Sequence, residues 1–319
     1  MTSPPLWATV CPLEPEEPRL VGPESSADLP EGTDITFGKT FRVLEKLGEG
    51  GMGKVFKAFD PFMNRYVALK VMKQDVPESE QRRFRLEARL CGSFSHPNLV
   101  RVLDVGTMKE RGLYWFAMEF LEGTDIRGAM SRGRTVPLHV LCEIFRQTLE
   151  GLHYMHLRRI VHRDIKPANI YVCRDPHDPQ LRPVKVLDLG VARDLKDGKP
   201  EEGGWILGDP RYMPPEQTKP NLDLDHRADL YALGMTFYEA ITGHHPFADL
   251  VEQHPKLLLR AQREREPQPP SVHLDASTPA ATAEIIDAFF AQACAKHKEH
   301  RFADARAMQH AMTVLLQHA

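Results

Sequence analysis

At 319 residues, with 42% apolar and 27% charged side chains, the chain has the composition of a globular protein with room for one large domain or two modest ones. Its 41 basic and 44 acidic residues leave a formal net charge of −3, which excludes the global basic field that non-specific nucleic-acid binding requires. The longest apolar run, 114–121, has eight residues and contains Glu119. That is far short of the roughly 20 residues a membrane-spanning helix needs, so no membrane insertion is expected. No basic-then-apolar signal pattern is present, and the five cysteines (Cys11, Cys91, Cys142, Cys173, Cys294) form no CxxC pair. Reduced thiols in a cytoplasmic protein are the expectation.

Residues 1–37 carry seven prolines and seven acids against a single base, Arg19. Such a stretch buries too little apolar surface to offset its ordering entropy, and it reads as a disordered tail. From Phe41 the pattern turns strand-like, through 41–47, 55–59 and 65–73. Residues 80–94 then place Phe84, Glu87, Cys91 and Phe94 at helical spacing on one face. Strand-like runs follow at 99–106 and 113–120. Beyond Gly123 the pattern is helical over 138–157, 226–242, 280–296 and 303–317, interrupted by short strand-like pieces at 170–173 and 184–187. A strand-rich first third and a helical remainder predict two lobes joined near 120–124.

Gly48-Glu49-Gly50-Gly51-Met52-Gly53-Lys54-Val55 fits GxGxxGxV and lies between two strand-like runs. Glycines let the backbone approach a phosphate because no Cβ intervenes. A glycine-rich hairpin that is only a turn is the plainer alternative. Gly48 to Lys54 also spells GxxxxGK, but Val55 stands where a P-loop needs Ser or Thr, and a strand rather than a helix follows. A dinucleotide-binding turn fails for the same want of a helix.

In Tyr66-Val67-Ala68-Leu69-Lys70-Val71-Met72, a period of two puts Ala68 and Lys70 on one face of an apolar strand. An unpaired ammonium there would be costly to desolvate, and Glu87 on the apolar stripe of the next helix has the opposite problem. Each is the natural partner of the other, either as a structural ion pair or as a lysine held beside phosphates.

Val161-His162-Arg163-Asp164-Ile165-Lys166-Pro167-Ala168-Asn169-Ile170 sets polar groups between apolar flanks, and Lys185-Val186-Leu187-Asp188-Leu189-Gly190 follows as a strand ending in Asp188. Two aspartates and an asparagine beside a lysine are what phosphoryl transfer requires: a carboxylate for the attacking hydroxyl, oxygen ligands for Mg²⁺, and a cation for the transferred group.

Over about 41–312 the chain resembles the protein kinase family. His162-Arg163-Asp164 with Asn169 resembles the catalytic loop. Val67-Ala68-Leu69-Lys70 resembles the nucleotide-lysine strand, with Glu87 its helix partner. Met118-Glu119-Phe120-Leu121 resembles the gatekeeper and hinge, and Asp188-Leu189-Gly190 stands where Asp-Phe-Gly is usual. Pro214-Pro215-Glu216 resembles Ala-Pro-Glu, with Arg301 its ion-pair partner. Asp229-Leu230-Tyr231-Ala232-Leu233-Gly234 resembles the helix that anchors the catalytic loop. Lys166, two residues past Asp164, matches the Ser/Thr branch, and the glycine turn with Pro-Pro-Glu-Gln resembles bacterial kinases of this type. Antibiotic-phosphorylating relatives lack this full loop and the Pro-Glu segment.

The resemblance implies an α+β, bilobal kinase-like fold over 38–316. It would have a small antiparallel-sheet N-lobe with one main helix (38–120), a hinge (120–124) and a larger helical C-lobe (125–316). It implies ATP with Mg²⁺, or Mn²⁺ in its place. The partner implied is a protein bearing Ser or Thr, with a second copy of the chain allowed and no nucleic acid. Asp164, Lys166, Lys70 and Glu87 would be catalytic, and Asn169 and Asp188 would hold the metal. The nucleotide would meet Leu47, Gly48, Glu49, Gly50, Gly51, Met52, Gly53, Lys54, Val55, Ala68, Lys70, Met118, Glu119, Leu121 and Tyr171.

Three departures stand out. Between Asp188 and Glu216 there is no Ser or Thr, and Tyr212 is the only hydroxyl, although Arg163 is the residue that in relatives receives an activation phosphate. An acid (Asp197, Glu201 or Glu202) supplying permanent charge is one reading; solvated surface acids are the plainer one. Asp209 stands where Ser/Thr kinases carry threonine; its carboxylate is expected to pair with Lys166 and to repel Asp164. Tyr171 replaces the usual aliphatic residue under adenine. A nucleotide-binding scaffold without phosphotransfer is therefore the alternative. The 15 histidines show no metal-ligand spacing, and His162 is expected to order backbone.

Overall fold

The computed structural model describes residues 34–317 except 37–39, 75, 109–112, 132–134, 175–181, 190–191, 196–206 and 220–223. The chain divides between Glu122 and Gly123 into two compact units.

The first unit is built on an antiparallel six-stranded sheet in the order β1-β2-β3-β4-β6-β5. The strands are β1 (Asp34–Thr36), β2 (Thr40–Glu49), β3 (Gly53–Asp60), β4 (Arg65–Met72), β5 (Val102–Met108) and β6 (Leu113–Glu119). Alternation decides which face is buried: Phe56, Ala58 and Asp60 of β3 and Val67, Leu69 and Val71 of β4 point inward. The helix α1 (Glu78–Ser93) packs Phe84, Leu90 and Cys91 inward, with Glu78 and Glu80 favourably placed in its first turn. Phe84 and Phe116 close this core with ring centroids 5.0 Å apart, and Phe41 meets Trp115 edge-on at 5.3 Å.

Two expectations shift here. Most of the 1–37 tail lies outside the described residues, but Asp34–Thr36 form β1, paired with residues 40–42. The strand expected at 99–106 runs instead from Val102 to Met108. Leu99 and Val100 are buried ahead of it, so their apolar character reported burial and not pairing.

The second unit carries a small antiparallel sheet, β10-β9-β7, of β7 (Gly123–Asp125), β9 (Ile170–Cys173) and β10 (Val184–Val186). A two-stranded ladder joins β8 (Ile160–Val161) to β11 (Arg193–Asp194). The rest is helical: α2 (Ile126–Ala129), α3 (Leu138–Leu157), α4 (Arg227–Thr242), α5 (Ala248–Val251), α6 (Pro255–Glu264), α7 (Ala280–Ala293) and α8 (Ala305–Gln317). In α4, 13 of 16 residues are buried, which makes it the central helix of this unit. Phe237 of α4 packs against Phe145 of α3 and Phe289 of α7. Among the described residues no helix is long and apolar enough to cross a membrane.

Candidate active site

In the first unit, the glycine turn joins β2 to β3. It is closed by the Gly50 N–H donating to the Gly53 carbonyl at 2.9 Å, while the Lys73 N–H donates to the Met52 carbonyl. Gly53 is fixed by packing: a Cβ there would lie 2.7 Å from the Val71 carbonyl oxygen. At Gly48 and Gly51 a Cβ would meet nothing within 4 Å, so no neighbour in the fold requires glycine at either position. Around the turn, Leu47 and Glu49 are exposed, Met52 packs against the core, Lys54 is buried and Val55 is half-buried. Lys73 and Lys46 hold the Glu49 carboxyl down at about 2. On β4, Lys70 is in register with Val55 and Phe116, and Ala68 with Met118. The expected pair is present: Lys70 Nζ lies 2.6 Å from Glu87 Oε1, and Glu87 is only 2% exposed. Lys70 also sits 5.6 Å from the Phe116 ring centroid. At the end of β6, the Glu119 side chain accepts the Arg101 N–H at 2.9 Å and its backbone N–H donates to the Arg101 carbonyl, which ties the start of β5 to β6. Leu121 follows, half-buried.

In the second unit the catalytic-loop motif is folded from below by one buried carboxylate. Asp229 on α4 accepts the His162 N–H at 2.9 Å, the Arg163 N–H at 2.8 Å and His156 Nε2 at 2.8 Å. Burial alone would raise this carboxyl, but those hydrogen bonds and the histidines hold it below the usual carboxylate range. Arg163 adopts φ 66°, which turns the chain so that Asp164 leaves the loop. His162 is buried, with Nε2 on the Leu187 carbonyl and Nδ1 accepting the Asp164 N–H.

Asp164 is the focus of the polar groups. Lys166 Nζ lies 2.6 Å from its Oδ2, and Asn169 Nδ2 donates to Oδ2 at 3.1 Å and to its carbonyl at 2.8 Å. The Asp209 N–H donates to Oδ1 at 3.1 Å. Burial raises the Asp164 carboxyl above its ordinary range, with Lys166 opposing and Asp188 reinforcing the shift. Tyr171, half-buried on β9, pairs across the sheet with Lys185 and Asp125.

One expectation is corrected. The Asp209 carboxylate does not pair with Lys166; it is turned onto Arg211, whose Nη2 lies 2.6 Å and Nε 3.0 Å away. Burial would raise that carboxyl, but the Arg211 guanidinium holds it below the usual range. Residues 209–211 lie in a turn, where neither helix nor strand periodicity says which side chains face each other, and so Arg211 was missed from the sequence. Gln217 was missed as well: its Nε2 bridges the Arg163 and Leu207 carbonyls and so ties this segment to the catalytic loop. Glu216 meets Arg301 in a two-pronged pair at 2.6 and 2.8 Å. Asp197, Glu201 and Glu202 lie outside the described residues.

The donor set suits a hard cation. Asn169 turns its amide nitrogen onto the Asp164 carbonyl, so its amide oxygen points away from that bond, and Asp188 follows β10 as an exposed carboxylate at φ 59°. Both groups offer oxygen, the donor type that hard divalent cations prefer.

The match to known proteins follows this geometry. Residues 41–313 match the protein kinase domain. The chain belongs to the protein kinase family. It is 39% identical to the serine/threonine-protein kinase pkn3 of Myxococcus xanthus over 225 residues, covering 67% of this chain and 40% of that protein. It is 35% identical to Pkn1 of the same organism over 283 residues, covering 87% and 38%, and 30% identical to PrkC of Bacillus subtilis over 277 residues, covering 84% and 39%. It thus spans about two fifths of the length of these relatives. The crystal structure of the Mycobacterium tuberculosis PknI kinase domain superposes with a TM-score of 0.65 at 25% identity, covering 90% of this chain and 100% of that one. Membership in this kinase family implies use of ATP and a divalent metal ion in general.

Proposed function

We propose that the chain is an ATP-dependent Ser/Thr protein kinase that transfers the γ-phosphate of Mg-ATP to a protein hydroxyl, with its kinase domain spanning about 38–316. The observation that carries this reading is the geometry of the half-buried Asp164 carboxylate, held on both oxygens by three donors from Lys166, Asn169 and the Asp209 backbone. Asp164 orients the substrate hydroxyl and accepts its proton. Lys166 offsets charge on the transferred group, and Lys70, fixed by Glu87, positions the nucleotide phosphates. Asn169 and Asp188 would hold the metal. A divalent ion held there would supply charge neutralisation on the phosphates.

The scaffold alternative rested on Asp209 and on the absence of Ser and Thr between Asp188 and Glu216. With the Asp209 carboxylate on Arg211 and only its N–H on Asp164, that residue no longer argues for lost activity. The two-residue step from Asp164 to Lys166, the similarity to named serine/threonine kinases and the absence of a disulfide among the described cysteines Cys91, Cys142, Cys173 and Cys294 support a Ser/Thr enzyme working where ATP is supplied, in the cytoplasm. Phosphoamino-acid analysis of a generic basic protein labelled with Mg-ATP tests the branch: phosphoserine or phosphothreonine supports it, and phosphotyrosine alone overturns it.

A further inference from the structure

We infer that Arg211 is a positioning residue: it holds the Asp209 carboxylate off Lys166, so that Lys166 serves Asp164 alone and Asp209 offers Asp164 only its backbone N–H. The inference rests on the roles given above to Asp164 and Lys166.

The geometry sets up a competition. Asp209 is one hydrogen bond from Asp164 Oδ1, and Lys166 Nζ is 2.6 Å from Oδ2 of the same carboxylate. Two carboxylates therefore lie within a side-chain rotation of a single ammonium. A second anion there would draw Lys166 away from Asp164. Arg211 removes that competitor by accepting the whole charge: its backbone N–H reaches Oδ1 at 3.1 Å, Nε reaches Oδ1 at 3.0 Å and Oδ2 at 3.2 Å, and Nη2 reaches Oδ2 at 2.6 Å. A planar guanidinium is suited to this, since it saturates both oxygens at once.

Arg211 is itself held by groups that do not depend on its side chain. Its carbonyl accepts from His245 Nε2 at 2.9 Å and from Gln262 Nε2 at 2.7 Å. Preceding it, Gly208 has φ 108°, and a Cβ there would lie 2.9 Å from both the Arg163 carbonyl and Gln217 Nε2. The backbone at 208–211 is thereby pressed against the catalytic loop, and only the direction of the Asp209 carboxylate is left for Arg211 to decide.

The test compares the unaltered chain, Arg211→Ala and Asp209→Ala/Arg211→Ala in steady-state phosphorylation of a generic basic protein with Mg-ATP. Arg211→Ala is expected to lower kcat on the order of ten- to a hundredfold, with KM for ATP within about twofold. The double variant, which lacks the competing carboxylate, is expected to recover most of that loss. Arg211→Ala at wild-type turnover, or a double variant as slow as Arg211→Ala, would overturn the inference. If the unaltered chain transfers no phosphate, the kinase reading fails, and the crystal structure of Arg211→Ala decides this point separately. The Asp209 carboxylate within hydrogen-bond reach of Lys166 Nζ supports the clamp, and a carboxylate that stays off Lys166 overturns it.

Discussion

Asp229 Oδ1 accepts the Arg163 N–H at 2.8 Å, so a carboxylate on the central helix sets the backbone of the residue just before Asp164. A left-handed conformation costs a non-glycine residue roughly 1–2 kcal/mol, and Arg163 keeps it because Asp229 holds the His162 and Arg163 amides from its two oxygens. Removing the carboxylate strands three donors in a buried place. Asp229→Ala is expected to lower unfolding free energy by about 3–5 kcal/mol in urea titration. A loss below about 1 kcal/mol, the size of an ordinary hydrogen bond, would show that the loop holds its shape without this anchor.

Two buried groups predict two separate steps in stability against pH. Burial depresses His245, whose Nδ1 accepts the Phe247 N–H and whose Nε2 donates to the Arg211 carbonyl. Its native value lies below the ordinary 6.5, so its contribution is complete above that pH and is lost as pH falls through the native value. Asp229, with a native value below the ordinary 3.8, contributes fully above that pH and loses its contribution only in stronger acid. Thermal melting from mildly alkaline to strongly acidic pH should show both declines. His245→Gln, which keeps a donor for the Arg211 carbonyl, should remove the upper one and leave the lower.

The glycines of the turn should separate fold from function. Gly53→Ala brings a methyl to 2.7 Å from the Val71 carbonyl, a clash with backbone that cannot step aside. It should lower stability by about 1–3 kcal/mol. Gly51→Ala meets nothing within 4 Å and should leave the melting temperature unchanged while weakening ATP-dependent thermal protection. Equal melting temperatures for the two variants would contradict this division.

Arg301 is buried and grips Glu216 with two nitrogens, so lysine is no conservative replacement. Arg301→Lys should cost about 2–4 kcal/mol, measured by urea titration, because a point cation satisfies one carboxylate oxygen and leaves the Ala295 and Lys296 carbonyls short of donors.

Much of this was legible in the sequence because the signals were periodic or locally spaced. Helix α3 and strand β9 fall at their expected bounds, and the Lys70–Glu87 pair follows from two charges each stranded on an apolar face. The short elements α2, β8 and β11 were not legible, since a single helical turn or a two-residue bridge holds too little pattern to separate from loop. At the site, Asp164, Asn169 and Asp188 stood out by type and spacing. The orientation of Asp209 did not, because a carboxylate flanked by Lys166 and Arg211 chooses its partner by rotamer and backbone path. Composition places both cations nearby but does not say which one wins.

The most direct measurement is Mg-ATP-dependent labelling of a generic basic protein by the unaltered chain and by Asp164→Asn, with ATP protection against heat unfolding recorded for both. Labelling by the unaltered chain, reduced at least about a hundredfold in Asp164→Asn while ATP protection persists, is the predicted result. Equal labelling by the two proteins would contradict the role given to Asp164. No labelling by either, with ATP protection intact, would contradict phosphotransfer itself.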